Sequence, residues 1–270
     1  MPRPATLLVC VMSEVDSRAI VSTSACLGQN VRVGAFALVG DDVELGEDCV
    51  LEPHAVVRGP ARIGRKNIFD SFCSVGGNPQ DLKFSGEHTE VIIGDGNRFR
   101  EFSTVSRGTT GGGGVTRIGN DNLFMAYSHV AHDCIVGSST VFANGATLAG
   151  HVTVEDYVNV GAFSPVHQFC RIGRYAYIGA CTVITQDVPP FSRVVTERET
   201  KCYGLNKIGL ERRGFDSTRL EAIERAFRLL LRSKLNTTQA LEQIRAQLNG
   251  SADVRILVEF IESAQRGLHK

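Results

Sequence analysis

The 270-residue chain has no net charge, because 29 Lys and Arg residues balance 29 Asp and Glu residues, so nothing global draws it to nucleic acid. No apolar stretch is long enough to span a bilayer, which argues against integral membrane association. The glycine run Gly111 to Gly114 lacks the Lys-Ser or Lys-Thr pair of a P-loop, which removes the commonest phosphate cradle. Among the cysteines (Cys10, Cys26, Cys49, Cys73, Cys134, Cys170, Cys181 and Cys202) there is no C-x-x-C pair, so neither a redox motif nor a clustered zinc set is indicated. They read as reduced, small apolar fillers, which fits a cytoplasmic protein. The start has an apolar patch, Ala5 to Met12, without a convincing cleavage site, and reads as an extension ahead of an alternative start at Met12 rather than a signal peptide.

What the chain does contain is a six-residue repeat. From Leu27 an apolar residue recurs at Val33, Val39, Leu45, Leu51, Val57, Ile63, Phe69 and Val75, and again at Ile93, Phe99 and Val105. It restarts at Ile118 and continues through Phe124, Val130, Val136, Phe142, Leu148, Val154, Val160, Val166, Ile172, Ile178 and Ile184. A short fixed period with one apolar residue per unit buries that residue only by stacking on its neighbours, which predicts a parallel β-helix of triangular section. Three hexads make a coil, so side chains about eighteen residues apart stand above one another. The two breaks, near 76–92 and 106–117, predict loops leaving the coil, and such loops commonly build a binding face. The expected organisation is an extension over 1–19, a mostly β solenoid over 20–190, and a helical domain over 191–270.

In that last part the period becomes helical. Thr218 with Glu221 offers a capping box for a stripe of Leu220, Ile223, Phe227, Leu230 and Leu231. Asn236 with Gln239 opens a second helix, and Val254 to Gln265 is a third whose apolar residues are Ile256, Leu257, Phe260 and Ile261. From Lys201 to Leu235 nine basic residues face four acids, which is either a solvated surface or a dock for acidic or phosphorylated partners.

On the eighteen-residue map His132, His151 and His167 fall near one vertical line, with His129 beside them. His132 is followed directly by Asp133, which supplies a proton acceptor and a carboxylate able to hold its ring. Gly150, one coil on, offers a bare backbone amide, and Gln168 follows His167. A base, a close amide and further polar groups are what acyl transfer to a hydroxyl requires, since the alcohol loses a proton while charge builds on the thioester oxygen. Two other classes stay open: a three-histidine zinc site built from His132, His151 and His167, and a non-catalytic scaffold.

The strings NPQDLKFSGE, IGNDNLF, SHVAHDCIVG, ATLAGHVTV, VHQFCRIG, QDVPP and GLERRGF, in this order, resemble the UDP-N-acetylglucosamine acyltransferase family that begins lipid A synthesis. That resemblance implies a left-handed parallel β-helix with a C-terminal helical domain, assembled as a homotrimer. It also implies transfer of an (R)-3-hydroxyacyl group from acyl carrier protein to the 3-hydroxyl of UDP-N-acetylglucosamine, with no cofactor and no catalytic metal. By residue it implies His132 as general base, Asp133 as its partner and Gly150 as oxyanion donor. His129, His151, His167, Gln168, Asn206, Arg212 and Arg213 would hold the nucleotide sugar, while Asp81 and Lys83 would grip substrate and Ala180 would measure the acyl chain. Lys207 and Ile208 depart from the family pattern, which has an acidic residue near there. An acceptor carrying a 3-amino group would use the same base and donor.

Overall fold

The computed structural model describes residues 13–196, 202 and 204–263. The chain divides between Thr196 and Glu197 into two units. In the first, short strands form three parallel sheets of 10, 8 and 8 strands. Successive coils pair eighteen residues apart, as Val33 with Leu51 and Phe124 with Phe142. Every apolar repeat position from Val33 to Ile184 is buried, and only Leu27, in an end coil, is half-buried. Inside, Phe69, Phe99, Phe124 and Phe142 form one column of stacked rings 5.1, 4.9 and 4.9 Å apart.

Both insertions leave the register intact. Phe69 pairs with Phe99, 30 residues on, so the first loop adds 30 − 18 = 12 residues; Phe99 pairs with Phe124, 25 on, so the second adds 7. The coils turn at corners where non-glycine residues adopt left-handed backbone, which ordinarily costs about 1–2 kcal/mol each. Stacking offsets part of that cost. Phe36, His54, Phe72, Phe102 and Tyr127 occupy one corner and their rings stack outside the coil at 5.0–5.3 Å.

Among the buried polar side chains, three asparagines form a continuous hydrogen-bonded ladder. Asn97, fully buried, donates from Nδ2 to Asn67 Oδ1 and Gly119 O and accepts at Oδ1 from the amide and side chain of Asn122. Asn97→Ala strands the two Asn122 donors away from water and is expected to cost about 3 kcal/mol, seen as a lower urea midpoint with unchanged KM values. An unchanged midpoint would show that the ladder is not structural.

Both solenoid boundaries lie further out than the repeat suggests. Strand Glu14–Val15, within the stretch expected as extension, already pairs with Arg32–Val33. The ladder also survives the prolines, because Pro189 and Pro190 lie outside the strand and Arg193–Val194 resumes pairing with Tyr177–Ile178. Cys10 lies outside the described residues; Cys49, Cys73, Cys134 and Cys170 are the expected buried fillers, whereas Cys26 and Cys181 are exposed. Burial pushes the Cys73 and Cys134 thiols up to about 12, so both are unreactive near neutrality.

The second unit contains α1 (Lys207–Glu211), α2 (Ser217–Leu231), α3 (Thr237–Leu248) and α4 (Ala252–Glu262). The Asn236 and Gln239 capping box is present at α3. At α2, by contrast, Asp216 is the cap, accepting from the Arg219 amide, so the box at Thr218 and Glu221 does not form. On α4 the inward residues are Val254, Val258 and Ile261, which leaves Ile256 and Phe260 exposed, contrary to the expected stripe. The Arg219 guanidinium joins α2 to α4 through two 2.8 Å bonds to the Asp253 carboxylate. Lys201 and Gln265 lie outside the described residues.

Candidate active site

The register that builds the coils also sorts the histidines. Asp133, His151 and Phe169 occupy successive left-handed corners, with φ of 60°, 62° and 67°, so they stand in one column. His132, Gly150 and Gln168 form the column beside it, each being the residue before a corner.

His132 Nδ1 lies 2.8 Å from Asp133 Oδ2. A carboxylate only accepts, so Nδ1 carries the proton in this bond, and in the neutral ring Nε2 keeps its lone pair. The Asp133 side chain is 1% exposed and the His132 side chain 15%, which places a desolvated carboxylate beneath a ring whose far edge meets solvent. The Asp133 backbone is fixed as well, its amide donating to Thr116 Oγ1 at 2.8 Å. Above the ring only glycine fits: a Cβ on Gly150 would lie 2.5 Å from His132 Cε1 and 2.7 Å from Nε2. The amides flanking Gly150 are engaged, Ala149 with Val166 O and His151 with His132 O, while that of Gly150 meets no acceptor among the described residues. The site thus offers a free imidazole nitrogen beside a free N–H.

His151 meets the His132 ring edge-on at 5.1 Å and stacks on Phe169 at 4.5 Å. His129 is hydrogen-bonded to Thr104 Oγ1 at 2.7 Å, and burial, with a smaller contribution from His132, pushes its pKa below the usual imidazole value. His167 does not join this group: it is exposed, with Nδ1 3.1 Å from the Gln168 carbonyl. Its offset of sixteen from His151 misses the eighteen-residue register, as does the nineteen between His132 and His151, so the expected line of three histidines is not formed; His132 and His151 meet as edge-on neighbours in adjacent columns. Gln168 is exposed in the neighbouring column.

Asp81 and Lys83, on the first loop, line a cavity of about 410 Å³ with Phe84, Glu87, Thr109, Thr110, Gly111, His151 and Phe169. Both insertions and the histidine column therefore face one space. Asn206, Arg212 and Arg213 belong to the helical unit, where Asn206 caps α1 by accepting from the Gly209 amide and Arg212 follows its last turn. Ala180 is exposed, one coil above Ala162, and a Cβ added to the neighbouring Gly161 would lie 2.5 Å from the Ala180 nitrogen. Missed from the sequence were Phe169, which the eighteen-residue rule applied to His151 would have found, and Thr109, which carried no signal.

Among the described residues one group has metal-ligand spacing, His132, Asp133 and His151, with candidate atoms within 4.8 Å of one another. It differs from the three-histidine set, since Asp133 replaces His167. The fit is poor: Asp133 Oδ2 already accepts from His132 Nδ1 and Thr109 Oγ1, so a metal on that oxygen would have to displace both donors.

A triangular parallel β-helix that sets an imidazole and carboxylate pair against a free backbone amide defines an acyltransferase of the hexapeptide-repeat class. Residues 27–59 and 116–150 match the family described as bacterial transferase hexapeptide (six repeats), and residues 187–269 match UDP N-acetylglucosamine O-acyltransferase, domain 2. A Stenotrophomonas maltophilia protein named acyl-(acyl-carrier-protein) UDP-N-acetylglucosamine O-acyltransferase is 52% identical over 94% of this chain and 97% of its own. A Xylella fastidiosa protein of the same name is 49% identical over 95% and 97%. The solved UDP-N-acetylglucosamine acyltransferase of Francisella novicida superposes with a TM-score of 0.67 at 34% identity, over 94% of this chain and 93% of that one. The chain belongs to the UDP-N-acetylglucosamine O-acyltransferase family, and its fold is the left-handed parallel β-helix with a helical C-terminal part.

Proposed function

We propose that the protein transfers an (R)-3-hydroxyacyl group from acyl carrier protein to the 3-hydroxyl of UDP-N-acetylglucosamine in lipid A synthesis, with His132 as general base. The observation that carries this reading is the Nδ1 to Asp133 bond, which leaves Nε2 as the proton acceptor directly below the Gly150 backbone. Nε2 takes the hydroxyl proton as the sugar oxygen attacks the thioester carbonyl. The Gly150 N–H stabilises the resulting oxyanion, and collapse expels the carrier thiol, which recovers the proton from His132. Asp81, Lys83 and His151 line the space for the reacting groups, and His129, His167, Gln168, Asn206, Arg212 and Arg213 are assigned to the nucleotide sugar.

Arg225 and Arg228, exposed on α2, present a basic face suited to the acidic carrier, and a cavity of about 290 Å³ beside it is lined by Lys207, Arg228 and Arg232, with Glu224 paired to Arg228. Assembly as a homotrimer is supported by the exposed corner column of Phe36, Phe72, Phe102 and Tyr127, since such an apolar stripe favours a covering surface. No helix among the described residues is long and apolar enough to cross a membrane; cytoplasmic location is part of the proposal. The relatives' names specify O-acylation, which favours the hydroxyl acceptor over a 3-amino analogue.

Mass spectrometry of the product made from UDP-N-acetylglucosamine and mixed hydroxyacyl carrier proteins tests this directly. An O-acylated nucleotide sugar is expected, and no acylated product would overturn it. The same competition reads the ruler. One methylene of buried chain is worth about 0.8 kcal/mol, roughly fourfold in preference, so Ala180→Gly should lengthen and Ala180→Met shorten the preferred chain. If neither changes the distribution, the groove does not end at Ala180.

A further inference from the structure

We propose that Thr109, on the second loop, is a positioning residue for acyl transfer: it holds the Asp133 carboxylate so that His132, and not His151, receives it. This rests on His132 being the base. Asp133 has two imidazoles within reach of the same oxygen, His132 Nδ1 at 2.8 Å and His151 Nε2 at 3.9 Å from Oδ2. Rotation of the carboxylate decides between them, and Thr109 restrains that rotation from both ends. Its amide donates to Oδ1 at 2.8 Å and its hydroxyl to Oδ2 at 2.6 Å. Two of the three donors on this buried carboxylate therefore come from one residue of an insertion.

The loop is built to deliver those donors. Thr109 stands at the cap position of the short turn Thr110–Gly112, where a threonine hydroxyl would ordinarily accept from the turn, yet it makes no such bond. Its hydroxyl is directed to Asp133, and its carbonyl accepts from the Gly112 and Gly114 amides at 3.0 and 2.7 Å. Gly112 lies flat against the carboxylate, where a Cβ would stand 2.0 Å from Asp133 Cγ. Despite its place on a loop, Thr109 is only 8% exposed. Without the hydroxyl, Oδ2 keeps His132 as its one donor, the carboxylate can turn towards His151, and the Nε2 lone pair is no longer assured.

Thr109→Val keeps the shape and the amide and removes only the hydroxyl. Loss of a hydrogen bond to a buried charged group predicts a kcat about tenfold lower or more, with KM for the sugar nucleotide and the acyl carrier protein within about twofold of normal. Thr109→Ser should recover most of the rate. In the His132→Ala background, Thr109→Val should cost nothing further, since its effect runs through the base. A raised KM at normal kcat would show that the loop merely shapes the cavity, and an undiminished effect in the His132→Ala background would place Thr109 outside the base's control; either overturns the proposal. Near-normal turnover of His132→Ala alone would instead overturn the base assignment on which the proposal depends.

Discussion

His132→Ala is expected to lower kcat by about 10² or more, the usual scale for losing a positioned proton acceptor. The fold should be indifferent to the change. The ring lies outside the apolar core, its Nδ1 bond to Asp133 is its only hydrogen bond among the described residues, and Asp133 retains both bonds from Thr109. Thermal midpoint and oligomeric state should therefore match the unaltered protein while turnover collapses. His151 cannot substitute, because its Nε2 is 3.9 Å from the carboxylate and its ring is held against Phe169. A purified, correctly assembled His132→Ala protein with near-normal turnover would remove His132 from the chemistry.

Gly150→Ala probes the same site by steric means. Gly150 is not in left-handed backbone, so alanine meets no conformational penalty, and its amide remains. The added methyl, however, would lie 2.5 Å from His132 Cε1, closer than any unstrained contact. The imidazole must swing away, and since Nδ1 is tied to Asp133, it does so at the expense of that bond. A displacement of about 1 Å in a reacting group costs on the order of 10²-fold, so kcat should fall by that scale with folding preserved. If Gly150→Ala turns over within twofold of normal, the ring is not held beneath Gly150 during the reaction.

The contrast between what was legible and what was not is physical. The apolar residues from Val33 to Ile184 were read correctly because each hexad repeats the same burial problem, and the His132 to Asp133 contact because the carboxylate stands at the corner next to the imidazole, within side-chain reach. His167 was misplaced because neighbouring residues on a coil point in different directions, so an offset of sixteen does not stack where eighteen does. Thr109 escaped because its contact with Asp133 spans 24 residues, a separation set by the length of the second insertion rather than by the repeat. The five-residue helix α1 is too short to express a periodic signal, and α2 begins early enough for Asp216 to cap it, which leaves Thr218 inside the first turn.

The coil register has a consequence for how such a protein can change. Between Ile118 and Ile184 the chain is read in frame, much as codons are: deleting one residue would shift every later hexad and bring a polar or corner residue into the interior at each step. The seven extra residues of the second loop are not a multiple of six, yet Ile118 re-enters in register with Ile93, because the loop leaves and rejoins outside the stack. Length is thus punishable along the strands and free at the two insertions. Those insertions carry Asp81, Lys83 and Thr109, so the segments that can be lengthened or trimmed without unthreading the solenoid are the ones that line the cavity with His151 and Phe169. Adaptation to a different acceptor can proceed there by insertion and deletion, while the column beneath, from Asp133 to Phe169, is confined to substitution.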